Sequence, residues 1–174
     1  LALAKLPINE GNFAGDDVRY SSAYEVLENE LGKATAVHET AAIDWQKVRE
    51  NSEILLSAHS KDLRVAAWLI WGLYQRESFP GLQAGFSLLH YLCLNHWAEL
   101  HPRKPRTRAA AISWLIPRLE QALAEHVPIG GQLPLFRSLA GQLRALEACL
   151  AEHLGEDAPL LLPLCRRLDE LVKR

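Results

Sequence analysis

The sequence predicts an all-α fold, a compact multi-helix domain of about seven helices around a nearly enclosed central pair. Three observations carry that expectation. Apolar residues recur at spacings of three and four in segment after segment, with no convincing period-two run for a strand. One stretch, Val65 to Tyr74, is apolar on almost every side, as a helix packed on several faces would be. Glycines and prolines stand between the periodic segments, where helices stop and start.

Residues 1–19 hold Pro7, Gly11 and Gly15 without a sustained period and predict an extended N-terminal arm. Tyr20, Tyr24, Leu27 and Leu31 form the stripe of a first helix that stops at Gly32. Asp44 is a suitable N-cap for a second, with Trp45, Val48, Ser52, Leu55, Leu56 and His59 on one face. A third begins near Asp62, whose carboxylate suits the orphan amides and the positive end of the helix dipole, a catalytic carboxylate being the alternative reading. Pro80 opens a fourth, with the stripe Leu82, Phe86, Leu89, Cys93, Trp97 and Leu100, and Pro102 is expected to end it. A fifth opens near Thr107 with a kink expected at Pro117. After the break Pro128-Ile129-Gly130-Gly131, Leu135, Leu139, Leu143, Leu146, Leu150 and Leu154 mark a sixth helix closed by Gly155. Leu161, Leu164, Leu168 and Leu171 mark a seventh, from about Leu160 to Arg174.

The 174 residues suffice for one domain with a sizeable core. Cys93, Cys149 and Cys165 lie in leucine-rich helical contexts and are expected to be reduced core thiols. A chain that starts at Leu1 and has no methionine is expected to be a piece of a longer protein. The longest apolar run is about half the ~20 residues a membrane helix needs. A net charge of −2 argues against general nucleic-acid binding. The charge is uneven, however: residues 1–60 carry ten acidic and five basic side chains, whereas 101–108 carry Arg103, Lys104, Arg106 and Arg108 and no acid.

None of the common short catalytic or nucleotide-binding motifs occurs. His90, Cys93 and His96 are spaced three apart, so they spread around a helix rather than converge on a metal, and no carboxylate joins them. The basic run after His101 has three readings: a solvated loop, a protein-docking surface of Arg103, Lys104, Arg106 and Arg108, or a nucleic-acid contact. The last lacks an accompanying series of aromatic residues. Trp97 and Leu100 are expected to anchor a helix end in the core, His101-Pro102 to turn the chain, and Trp114 to return it.

Several short motifs in order carry a resemblance. Gly15-Asp16-Asp17-Val18-Arg19-Tyr20 precedes the first helix, Asp44-Trp45 opens the second, and Ser60-Lys61-Asp62-Leu63-Arg64-Val65-Ala66-Ala67-Trp68-Leu69 opens the third. Gly81-Leu82-Gln83-Ala84-Gly85 lies in the fourth, Trp97-Ala98-Glu99-Leu100-His101-Pro102 at its end, and Ser113-Trp114-Leu115 in the fifth. Over about Pro7 to Leu123 this series resembles the ImpA-related N-terminal domain, found at the amino end of TssA proteins of the bacterial type VI secretion system. The matching signature residues are Arg19, Tyr20, Trp45, Asp62, Arg64, Trp68, Gly81, Gly85, Trp97, His101, Pro102 and Trp114.

The resemblance implies a helical domain over 20–127, with 132–174 as a C-terminal helical pair packed on it and continuing in the parent protein. It implies a non-enzymatic assembly adaptor without cofactor or metal, whose partners are other secretion proteins of the membrane complex, baseplate, tube or sheath. It further implies no nucleic acid, no membrane insertion, a cytoplasmic location at the inner-membrane-associated complex, and oligomerisation through a C-terminal region outside this chain. The contrasting expectation is a small all-helical enzyme or metal-binding protein with a site assembled in space.

Overall fold

The computed structural model describes residues 1–19, 21–33, 42–124, 127 and 129–173, so the expected roles of Tyr20, Pro128 and Arg174 lie outside the described residues. Among the described residues the elements are α1 (Ala2–Lys5), α2 (Ser22–Gly32), α3 (Trp45–Ala58), α4 (Leu63–Glu77), α5 (Phe79–Asn95), α6 (Pro105–Ser113), α7 (Leu115–Ala124), α8 (Leu133–Leu154) and α9 (Leu162–Val172). Two 3₁₀ turns, Trp97–Glu99 and Gly155–Asp157, and isolated β-bridges accompany them, and the fold is all-α.

The helix starts follow local chemistry. Ser21 caps α2 by accepting from the Tyr24 amide at 3.2 Å, and Asp44 caps α3 by accepting from Lys47 at 3.1 Å. Prolines occupy the first turns of α5, α6, α8 and α9, where their missing N–H costs no helical bond. Gly155, at φ 55°, ends α8 in a conformation that favours glycine. Across the α2–α3 junction the buried Glu30 carboxylate binds Lys33 at 2.8 Å, Lys47 at 3.4 Å and the Asp44 amide at 3.1 Å. Burial would raise its pKa, but these partners together hold it below the usual value.

Helix α4 is the centre of the domain, with α3 and α5 along its flanks and α6 across its N-terminal half. Leu63, Val65, Ala66, Ile70 and most of its other apolar side chains are buried, which explains the apolar periphery of the Val65–Tyr74 run. The α4–α5 corner is abrupt: Ser78 sits at φ 61°, and Gly81 and Gly85 let α5 approach α4 closely. A Cβ on Gly81 would lie 2.3 Å from the Leu73 carbonyl oxygen, and one on Gly85 would lie 2.8 Å from Ile70 Cγ1.

Helix α8 lies along the opposite side of α5 and carries α9. Phe136 is fully buried, 4.9 Å from Phe79 between ring centroids. Where α5, α7, α8 and α9 meet, Leu82, Phe86, Leu123, Leu143 and Leu168 leave a gap of only about 10 Å³, room for at most one water. One hydrophobic core therefore runs from α2 through α9.

Three expectations need correction. Residues 1–19 are more than an extended arm: Ala2–Lys5 form a helical turn, and Ala4, Ala14 and Val18 are buried. Small alanines fit against α3 and α5 there, in a stretch too short for a period to register. The fifth predicted helix is two helices, α6 and α7, parted at Trp114 rather than kinked at Pro117. Pro117 has no N–H for the Ser113 carbonyl and its ring crowds that oxygen, so the break falls one turn upstream. Finally, α5 stops at Asn95 instead of running to Pro102, and a single 3₁₀ turn, Trp97–Glu99, follows. The Asn95 side chain bonds back to the Tyr91 carbonyl at 3.1 Å, and the His96 ring stacks on Phe13 at 3.6 Å; both contacts suit a chain leaving the helix here.

Candidate partner interface

The stretch between α5 and α6 contains no long helix, so its backbone groups need other partners. Arg108 supplies many of them. Its guanidinium donates to the carbonyls of Pro102 at 2.7 Å, Trp97 at 2.6 Å and Leu100 at 2.6 Å, and it lies 4.6 Å from the Trp97 ring. Burial, with the charge of Arg103 adding to it, lowers the arginine's pKa, yet the group stays charged at any ordinary pH. Trp97 in turn stacks on His153 of α8 at 4.5 Å and 5°. This column ties the corner to the C-terminal helices.

A second polar knot joins the same corner to the start of α4 and the N-terminal segment. Lys61 has no exposed surface; its ammonium donates to the carbonyls of Leu56 at 2.6 Å and of Leu3, and its backbone amide to Ala14 at 2.7 Å. Desolvation lowers its pKa to about 8. The backbones of Lys61, Leu63 and His101 exchange hydrogen bonds at 2.7 and 3.1 Å, and the buried His101 ring meets the Gly15 carbonyl at 2.8 Å. Asp62 caps α4, accepting from the Arg64 and Val65 amides at 2.8 and 3.4 Å, and grips the Arg64 guanidinium at 2.6 and 3.1 Å. Arg64 reaches on to Asp17 at 3.2 Å. Burial alone would raise the Asp17 pKa, but the Arg19 amide and Arg64 hold it below the ordinary value.

The two knots revise the site expected from sequence. Of the four basic residues, Arg103, Lys104 and Arg106 are exposed, whereas Arg108 is 4% exposed and is a structural strut, not a surface contact. Its helical position explains this: Arg108 falls one turn into α6, on the side facing the buried corner, while the others precede it or face outward. Trp68, Trp97 and Trp114 are half-buried, each indole covering the core's edge, so Trp97 and Trp114 do not enter the core as fully as expected. Trp45 is also half-buried, Arg19 is exposed, Pro102 and Asp62 are buried, and Gly81 and Gly85 make the close helix contacts described above. His59 lies outside α3 and is exposed.

Cys93, Cys149 and Cys165 are buried free thiols. His90, Cys93 and His96 do not converge: His96 stacks on Phe13, and no set of three His, Cys, Asp or Glu among the described residues is placed to hold a metal.

What the corner presents outward is a groove between α4 and α6, lined by Arg64, Trp68, Thr107, Ala110, Ala111 and Trp114, with a cavity volume of about 220 Å³. Tyr24 packs behind Trp68 with ring centroids 5.0 Å apart. Arg118 lies 3.7 Å over the Trp114 ring and donates to the Trp114 carbonyl at 2.7 Å. No sequence motif marks the groove as a site or includes Arg118, and of the two only Arg118 carries a local signal, its spacing of four from Trp114 in a helix. Lys61 stands in the motif that opens α4, but its enclosure has no local signal.

Comparison with known proteins accords with this geometry. No curated protein matches the sequence. In structure, the chain is similar to the N-terminal domain, including the conserved ImpA_N region, of the TssA component of the type VI secretion system from Burkholderia cenocepacia. That likeness has a TM-score of 0.81 at 21% sequence identity and covers 99% of this chain and 91% of the other, which establishes a shared fold. No helix among the described residues is long and apolar enough to cross a membrane. In sequence, residues 6–117 match the family described as ImpA, N-terminal, type VI secretion system, a span that includes Lys61, Asp62, Arg64, His101 and Arg108 of the polar knots and the α4–α6 groove. The chain belongs to the ImpA N-terminal family of the type VI secretion system.

Proposed function

We propose that this domain is a non-catalytic assembly adaptor of the type VI secretion machine. It docks a membrane-complex, baseplate, tube or sheath protein on the cytoplasmic side of the inner membrane, while oligomerisation falls to a C-terminal region outside this chain. The observation that carries the reading is how the polar side chains at the signature corner are used. Lys61, Asp62, His101 and Arg108 are buried and spend their hydrogen bonds on backbone groups or on Arg64, so they support a surface instead of meeting a substrate. The cavity beside them, about 220 Å³, is smaller than the roughly 300–1,000 Å³ of small-molecule sites.

The test is affinity capture from a bacterium that runs the system, with the full-length parent as bait beside the same parent lacking this domain. The adaptor reading expects at least one secretion component to be recovered only when the domain is present. Recovery of the same components by both baits would overturn it.

A further inference from the structure

We infer that the groove between α4 and α6 seats an acidic amphipathic segment of a partner protein, with one leucine or aromatic side chain between Trp68 and Trp114 and carboxylates on Lys104 and Arg106. This deepens the adaptor reading and rests on it. The floor is apolar and small: Ala110 and Ala111 lie between the two half-buried indoles, leaving room for one bulky side chain. Half-buried tryptophan beside arginine is the composition of interface hot spots.

The charge around the groove selects the sign of the occupant. Residues 103–118 contain Arg103, Lys104, Arg106, Arg108 and Arg118 and no acidic residue. Arg108 is turned inward, Arg118 covers Trp114, and Arg64 on the far rim is already neutralised by Asp62 and Asp17. Lys104 and Arg106 are exposed, and neither has an ion-pair partner among the described residues. Arg106 stands one helical turn before Ala110, at the edge of the face that lines the groove. An uncompensated cationic rim over an apolar slot matches carboxylates flanking an apolar anchor, and it repels a basic segment.

The experiment is selection of a phage-displayed library of amphipathic helical segments against the domain, with Ala110→Tyr as the blocking variant. Ala110 is exposed, so the tyrosine fills the groove without entering the core. Expected are acidic binders that shift the indole N–H resonances of Trp68 and Trp114 more than those of Trp45 and Trp71. Their binding should be lost in Ala110→Tyr at unchanged melting temperature. In the Lys104→Glu, Arg106→Glu double variant it should weaken roughly tenfold or more, because two attractive contacts become repulsive. No binders, basic binders, binders indifferent to Ala110→Tyr, or displacement of the bound peptide by single-stranded DNA would each overturn the inference. The adaptor reading fails separately: a parent protein carrying Ala110→Tyr that still captures its domain-dependent partner sinks the groove alone.

Discussion

Replacing Gly81 with alanine adds one methyl group at the tightest point of the α4–α5 corner. Its Cβ would stand 2.3 Å from the Leu73 oxygen, 2.6 Å from the Leu73 carbonyl carbon and 3.2 Å from the Tyr74 amide nitrogen. All three are backbone atoms, so no rotamer change relieves the overlap and the two helices have to part. Parting them loosens the contact between the two most buried helices of the domain. Alanine favours a helix over glycine by up to about 1 kcal/mol, whereas overpacking of this kind costs about 1–3 kcal/mol and sometimes more. The net expectation is a loss of about 1–2 kcal/mol, which in a chain of this length lowers the melting temperature by roughly 2–8 °C. Gly141, exposed in the middle of α8 with nothing within 4 Å of its added Cβ, is the matched control. There the same substitution is expected to stabilise by about 0.5–1 kcal/mol. Urea denaturation followed by far-ultraviolet circular dichroism would measure both. A Gly81→Ala protein as stable as the parent would refute the close-approach argument, as would equal shifts at both positions.

Two further outcomes follow from the polar knots. Arg108→Met should destabilise by about 3 kcal/mol, because the Pro102 and Leu100 carbonyls lose the guanidinium donor and the Trp97 carbonyl keeps only the Leu100 amide at 3.3 Å, whereas Arg106→Met on the exposed side of α6 should stay within about 0.5 kcal/mol; denaturation midpoints of the pair decide it. Lys61 loses its proton near pH 8 when folded and near 10.5 when unfolded, so between those values the unfolded chain holds the extra proton and stability from this group rises with pH. The parent should therefore gain on the order of 2 kcal/mol relative to Lys61→Met between pH 8 and 10.5. Burial raises the Cys93 thiol and opposes that trend, but it does so in both proteins and cancels in the difference. A stability gap independent of pH would show that Lys61 is not desolvated as described.

Much of the architecture was legible in the chain because helices record their packing in a local period. The stripes of α3, α4, α8 and α9, the caps at Asp44 and Asp62, and the stops at Gly32 and Gly155 all act through residues within a turn or two of each other. The ordered signature likewise points to the family, since its motifs are short and local. The candidate interface was less legible. Arg103, Lys104, Arg106 and Arg108 are alike as a string, yet one is a buried strut and three are surface charges, and what separates them is where the carbonyls of Trp97, Leu100 and Pro102 end up.

The sequence by itself determined that the chain is helical, where most helices begin and end, and which faces are apolar. Those properties depend on backbone bonds and side chains close together along the chain. The tertiary structure alone decided that Lys61 would be enclosed, that α5 would release Trp97 onto His153, and that Trp68 and Trp114 would flank one groove. Each of these brings together residues far apart in sequence, and no local period can record a contact whose two halves are set by the packing of different helices.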